Sequence, residues 1–142
     1  MDVFERSLQL HEALRGKISV ENKMDIRTTE DLSLAYSPGV AAPCEAIHND
    51  PAKVYDYTIK GNTVAIVSDG SAVLGLGNIG PLAAIPVMEG KGMLFKRFAG
   101  INGFPICIST QKTDELIQVI RNIAPVFGGI NLEDISSPRC FE

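Results

Sequence analysis

Three short blocks of this chain carry side chains suited to acid–base and metal chemistry. Tyr36 heads the run Tyr36-Ser37-Pro38-Gly39-Val40, Lys91 lies between two glycines in Met88-Glu89-Gly90-Lys91-Gly92, and Glu133-Asp134 are adjacent near the end of the chain. A phenol can donate a proton, an amine can serve as a base, and two carboxylates are hard oxygen ligands of the kind Mg²⁺ and Mn²⁺ take. Together they form a nearly complete set for metal-assisted chemistry on a small acid. No third ligand and no site for a nucleotide cofactor can be read before Glu142, so the expectation is one part of an active site.

Each block also has an ordinary reading. Tyr36 beside a Ser-Pro-Gly turn can be a core tyrosine with a satisfied hydroxyl. Lys91 can be a surface residue that lays its stem on apolar neighbours, although on an otherwise apolar segment its amine is partly desolvated and moves toward a base's working range. As bare sequence, Glu133-Asp134 reads as a solvated loop pair. Adjacent residues of a regular strand point to opposite faces, so both can reach one ion only where the strand has ended. Asp69 also follows a strand and is a candidate to support the site from behind, with Asp-Gly turn chemistry as its plain alternative. His11 and His48 lack carboxylate or cysteine neighbours at ligand spacing and read as structural.

The elements that must position these residues are legible in outline. Residues 2–15 read as a helix capped by Asp2, with Phe4, Leu8 and His11 at helical spacing and Gly16 as the stop. Lys17 to Val20 looks extended. Thr28-Thr29-Glu30-Asp31 resembles a capping box for a short helix that Pro38-Gly39 must end, which puts Tyr36 at the mouth of a turn. Further short helices are expected near Pro43 and from Asp50-Pro51. Thr63 to Ser68 is a continuous apolar, β-branched run, as in a strand buried on both faces. Pro81 to Ala99 is helix-compatible, but Pro86 and Gly90-Lys91-Gly92 should bend or interrupt it. Pro105 to Ser109 and Val126 to Leu132 read as two more strands. Between them Thr113-Asp114-Glu115 should cap a helix from about Glu115 to Ala124, with Leu116, Val119, Ile120 and Ile123 as its buried face. The expected fold is α/β: a small parallel sheet of three to four strands with crossover helices, preceded by a helical N-terminal region. Residues 1–60 form that helical region, expected to carry Tyr36 and a dimer contact, and residues 61–142 the α/β core.

Gly75-Leu76-Gly77-Asn78-Ile79-Gly80 satisfies the Gly-x-Gly-x-x-Gly pattern. The dinucleotide fingerprint follows its strand directly and has an acidic residue about 20 positions on, at a strand end. Here six residues separate the glycines from the strand, and the acidic residue nearest that spacing, Glu89, falls inside a helix. A tight structural loop is the favoured reading over a phosphate cradle.

Composition bounds the rest. The 142 residues, 45% hydrophobic and 21% charged, suit a soluble globular domain. A net charge of −4 without a basic cluster gives no nucleic-acid footprint, and no apolar run approaches the roughly 18–20 residues of a membrane helix. The N-terminus has neither the basic start nor the apolar stretch of a signal peptide, so a cytoplasmic protein is expected. Cys44, Cys107 and Cys140 are odd in number and far apart, which argues against a disulfide framework and a structural zinc site and for reduced, structural thiols.

Read together, the blocks resemble a known family along essentially the whole chain. Asp31 to Ala41, Ser68 to Gly80, Val87 to Lys91, Phe98 to Ile101, Asn131 to Ile135 and Pro138 to Glu142 are similar to the malic enzymes of the short, prokaryote-type subunit, in their N-terminal, malate-side domain. The resemblance implies oxidative decarboxylation of (S)-malate to pyruvate and CO₂ with NAD⁺ or NADP⁺ as hydride acceptor. It makes Lys91 the general base, Tyr36 the donor that protonates the enol carbon, and Glu133 and Asp134 ligands of Mg²⁺ or Mn²⁺. It further implies a homodimer, and a cofactor-binding domain and third metal-ligand aspartate lying beyond Glu142. Some family members have an arginine for the malate carboxylate where this chain has Ala72, so that contact must come from elsewhere. The competing expectation is a standalone, non-enzymatic domain for assembly or for sensing a small acid or metal.

Overall fold

The run Thr63–Ser68 forms the central strand, β1, of a three-stranded parallel sheet in a computed structural model that describes residues 2–142. Strand β2 (Asn102–Cys107) pairs on one side of β1, from Thr63↔Asn102 to Ser68↔Cys107, and β3 (Gly129–Leu132) pairs on the other, from Val64↔Gly129 to Val67↔Leu132. A central strand has both faces to cover, which is why its sequence does not alternate. Ala65 and Val67 face a cluster with Ile108 and Leu116, extended by Val119, Ile120, Ile123 and Ile130. Ile66 points the other way, toward the long helix α5 (Gly80–Ala99).

Helix α5 runs unbroken through Pro86 and both glycines, so neither interrupts it. Proline removes one helical hydrogen bond, a cost of about 3 kcal/mol in a helix interior. Burial of Ala84, Met88 and Gly92, spaced as one stripe against the sheet, offsets that cost. Gly92 is what the close approach requires: a Cβ there would stand 3.0 Å from the Gly103 carbonyl oxygen. A Cβ on Gly103 would meet the Gly92 Cα at 2.7 Å and Ile66 Cδ1 at 2.8 Å.

The other boundaries shift for local reasons. β2 begins at Asn102 and contains Pro105, which an edge strand tolerates because the missing N–H faces away from its neighbour. β3 is shorter than expected, since Ala124–Val126 turns as a 3₁₀ segment around Pro125 before the chain joins the sheet. Helix α6 (Thr113–Ile123) starts two residues before Glu115 and lacks a capping side chain at Lys112. Thr110 serves instead, accepting from the Lys112 amide at 3.2 Å and donating to Glu115 at 2.6 Å.

The segment before β1 carries helices α1 (Val3–Leu14), α2 (Thr29–Ala35), α3 (Ala41–Asn49) and α4 (Val54–Tyr57), with a 3₁₀ turn begun by Asp50-Pro51. Asp2 and Thr28 both form full capping boxes, with Glu5 and Asp31. The left-handed stop of α1 falls on Arg15, one residue before Gly16. Lys17 to Val20 joins no strand, and Lys17 instead ties the segment to α5 through its amide on Glu89 (3.0 Å) and its Nζ on the Pro86 carbonyl (2.6 Å). Among the described residues no helix is long and apolar enough to cross a membrane.

Gly103→Ala should destabilise the fold by about 1–3 kcal/mol, because neither α5 nor Ile66 can retreat without opening the core. Gly90→Ala, whose added Cβ meets nothing within 4 Å, should stabilise it by about 0.5–1 kcal/mol. Urea unfolding of the two variants reads both signs, and a neutral Gly103→Ala would show that the helix–sheet approach is not limiting.

Candidate active site at the carboxyl ends of the strands

Lys91, Glu133 and Asp134 come together, although 42 positions separate the lysine from the first carboxylate. Lys91 Nζ lies 3.0 Å from Glu133 Oε2, with both side chains partly buried. Glu133 follows β3 directly, and its amide continues the ladder by donating to the Val67 carbonyl at 2.9 Å. Asn131 Nδ2 donates to the same Glu133 Oε2 at 3.0 Å. Lys91 is thus an ion-paired lysine on the rim of the sheet, not an isolated amine on an apolar segment.

Asp134 meets the geometric condition for two adjacent carboxylates to serve one ion. Strand β3 has ended at Leu132, and Asp134 turns the chain in the left-handed region at φ 54°. Its carbonyl accepts from the Ala72 amide at 3.0 Å, which pins the turn to the loop after β1. Its Oδ2 is buried without a hydrogen-bond partner. Burial, then the neighbouring Glu133 charge, push the Asp134 carboxyl up, while Lys91 pulls it down less. An orphaned buried carboxylate oxygen beside a second carboxylate suits a hard divalent cation. Among the described residues no three or more His, Cys, Asp or Glu converge on one point.

Asp69 stands behind this pair. It is fully buried and ion-paired with Arg139, and its Oδ1 accepts from the Ser71 amide at 3.0 Å. Burial alone would raise its carboxyl; the Ser71 hydroxyl and then Arg139 outweigh it and hold the group below its ordinary value. The Asp-Gly turn is present, and Asp69 adds to it a buried ion pair with Arg139. Sequence reasoning missed Arg139, Ser71 and Ser136, and the one available signal was that a buried aspartate demands a cation.

Tyr36 is not brought to this cluster by any contact. It ends α2, donating its amide to Leu32 and accepting from Val40, and it is 68% exposed. The glycine motif closes as a tight loop through paired hydrogen bonds between Val73 and Gly77. The Ile79 and Gly80 amides, which a phosphate would need, donate to the Gly70 carbonyl instead. Asn78, a candidate for the malate carboxylate contact, has its side chain engaged with Gln111 at 2.9 and 3.0 Å. A depression of about 770 Å³ between residues 17–23 and the α5–β2 edge contains none of the four candidate residues. The three cysteines are unpaired, and burial pushes the Cys107 thiol up, away from reactivity.

Comparison with known proteins gives the family. Residues 15–142 match the family model described as malic enzyme, N-terminal domain. The NAD-dependent malic enzyme of Geobacillus stearothermophilus is 60% identical over the whole chain, which spans 29% of that protein. The NADP-dependent malic enzyme of Escherichia coli is 57% identical over 95% of the chain and 18% of its own length. The crystal structure of malic enzyme from Pyrococcus horikoshii superposes with a TM-score of 0.95 at 57% identity, covering 99% of this chain and 33% of that one. The chain therefore spans about a third or less of the curated relatives it matches. By its family match and its fold, the chain belongs to the malic enzymes, as their N-terminal domain.

Proposed function

We propose that the protein containing this chain oxidatively decarboxylates (S)-malate to pyruvate and CO₂, reducing NAD⁺ or NADP⁺, and that this chain supplies the base and two metal ligands. The observation that carries the reading is the Lys91–Glu133 pair beside the orphaned Asp134 oxygen, at the strand ends where open α/β sheets bind ligands. Glu133 and Asp134 would hold Mg²⁺ or Mn²⁺, which when bound supplies Lewis-acid stabilisation of negative charge on the substrate oxygens. Glu133 now accepts from Lys91; turned toward a cation, it releases the lysine Nζ to take the proton from the C2 hydroxyl as hydride leaves C2. Tyr36 then delivers a proton to C3 after CO₂ departs. Its exposure means that packing against a surface outside the described fold must bring its hydroxyl to the substrate. The nicotinamide is held by residues outside these 142.

The reading extends to a homodimer. The chain exposes 10156 Å² at a mass of 15.3 kDa, where a folded monomer of that mass exposes about 7,100 Å². That excess leaves surface for the rest of the protein and for a second copy to cover. Phe4 and Leu8 of α1 are 78% and 74% exposed, and we assign that stripe to contact with a second copy.

The full-length protein, supplied with malate, Mn²⁺ and NAD⁺ or NADP⁺, should form pyruvate and reduced nicotinamide in equal amounts. Lys91→Ala should lower kcat about a hundredfold or more, and the 142 residues alone should show no turnover. A full-length protein inert toward malate would overturn the function. Sedimentation should show a dimer that Phe4→Asp with Leu8→Asp dissociates; a wild-type monomer at micromolar concentration would remove the dimer.

Asp134 provides a test without turnover. Because its carboxyl is raised above the ordinary 3.8, folding disfavours its ionised form, and the group costs stability at neutral pH. That cost disappears below 3.8, where Asp134 is protonated in both folded and unfolded chains. Asp134→Asn should therefore melt at a higher temperature than wild type at neutral pH without metal. The gap should close as pH falls toward that range and reverse in saturating Mn²⁺. A gap independent of both pH and Mn²⁺ would count against a poised ligand.

A further inference from the structure

We propose that Arg139 is a positioning residue for the Asp134 turn, and that its network with Asp69, Ser71 and Ser136 sets the affinity of the Glu133–Asp134 site for a divalent cation. This rests on the metal reading of those two carboxylates.

Arg139 lies just past the turn, and nearly all of its donors are spent inside the protein. Nε donates to Ser136 Oγ at 2.8 Å, Nη1 to the Gln111 carbonyl at 3.0 Å, and Nη2 to Asp69 Oδ2 and to Ser71 Oγ, the latter at 2.7 Å. Four of the five guanidinium N–H groups are thereby occupied, so Arg139 is built to hold protein, not to seize a substrate carboxylate. Its side chain is 17% exposed and its carboxylate partner 0%.

The partners belong to all three strand-end loops. Asp69 and Ser71 follow β1, Gln111 follows β2, and Ser136 and Arg139 follow β3. Gln111 is fixed in turn, its Nε2 donating to the Asp69 carbonyl at 3.3 Å and to Asn78 at 2.9 Å.

Two hydrogen bonds carry this clamp to Asp134. Ser71 Oγ, already accepting from Arg139, also accepts from the Ser136 amide at 2.9 Å. One residue on, the Ala72 amide donates to the Asp134 carbonyl at 3.0 Å. The loop after β1 therefore lies along residues 134–136 and holds Asp134 at its positive φ, a conformation that a non-glycine residue keeps only when its surroundings impose it. Removal of the guanidinium leaves Asp69 buried with hydrogen bonds from Ser71 but no counter-charge. The loop that must move to rehydrate it is the one that pins Asp134.

The test compares wild type, Arg139→Met and Leu116→Ala in the full-length protein, by Mn²⁺ titration under electron paramagnetic resonance and by site-resolved amide exchange. Leu116→Ala serves as a core variant away from the site. Arg139→Met should weaken Mn²⁺ at least tenfold, within the range seen when a metal ligand loses its supporting partner. It should also speed exchange at Ala72 at least tenfold while leaving Glu133, bonded to Val67 in the sheet, unchanged. Leu116→Ala should leave Mn²⁺ affinity unchanged and move both amides together if it moves either. A folded Arg139→Met that binds Mn²⁺ as wild type does, or that leaves Ala72 exchange unchanged, overturns the proposal. Wild-type protein that binds no Mn²⁺ would sink the metal reading and with it the affinity claim, and the exchange at Ala72 would still decide whether Arg139 holds the turn. Should Arg139→Met fail to fold, Ser71→Ala, which removes the oxygen shared by Arg139 and Ser136, is read against the same outcomes.

Discussion

The approach of α5 to the sheet is the constraint on which the rest of this structure depends. β1 is the central strand, and its face at Ile66 can be covered only by a helix lying close against β1 and β2. Gly92 and Gly103 permit that distance, and neither position has room for a methyl group without displacing backbone or Ile66. Lys91 is the immediate neighbour of Gly92, so the contact that seats the helix also fixes the height and direction from which the lysine reaches Glu133. A helix broken at Pro86, as local propensity suggests, would lose the stripe of Ala84, Met88 and Gly92. The packed helix keeps the proline because burial along its length outweighs one missing hydrogen bond.

At the carboxyl ends of the strands, stability and chemistry pull in opposite directions. A left-handed aspartate, an unpartnered buried carboxylate oxygen and two adjacent acidic groups each cost free energy. They are held by what surrounds them: the β3 ladder through the Glu133 amide, the Ala72 hydrogen bond, and the Asp69–Arg139 pair behind both. Asp69 illustrates why such a support is buried. With no water to solvate it, its charge is stabilised only by Ser71 and Arg139, so the pair resists separation and transmits that resistance to the turn.

The N-terminal segment shows a different economy. Its helices are well capped, yet their apolar side chains, among them Phe4, Leu8 and Leu34, remain largely exposed. Capping boxes are local and satisfy their own backbone groups whatever the rest of the molecule does. Apolar burial is collective and needs a surface, and the described fold gives this segment little of one. Tyr36, at the end of α2, shares that condition.

What the amino-acid sequence determined was much of what depends on neighbours in the chain. The β-branched run gave β1 to the residue, the Asp2 cap and the Thr28 capping box gave the starts of α1 and α2, and the 3.6-residue period of Leu116, Val119, Ile120 and Ile123 gave the buried face of α6. Residue types at Lys91, Glu133 and Asp134 proposed a chemistry, and their blocks carried the family likeness. Tertiary structure alone decided which of those side chains meet. It joined Lys91 to Glu133 across 42 positions and Asp69 to Arg139 across 70, carried α5 unbroken through a proline, and left Tyr36 apart. The reason is physical: propensity, capping and period act over a few residues, whereas an ion pair or a helix–sheet contact is set by packing that only the whole fold brings into being.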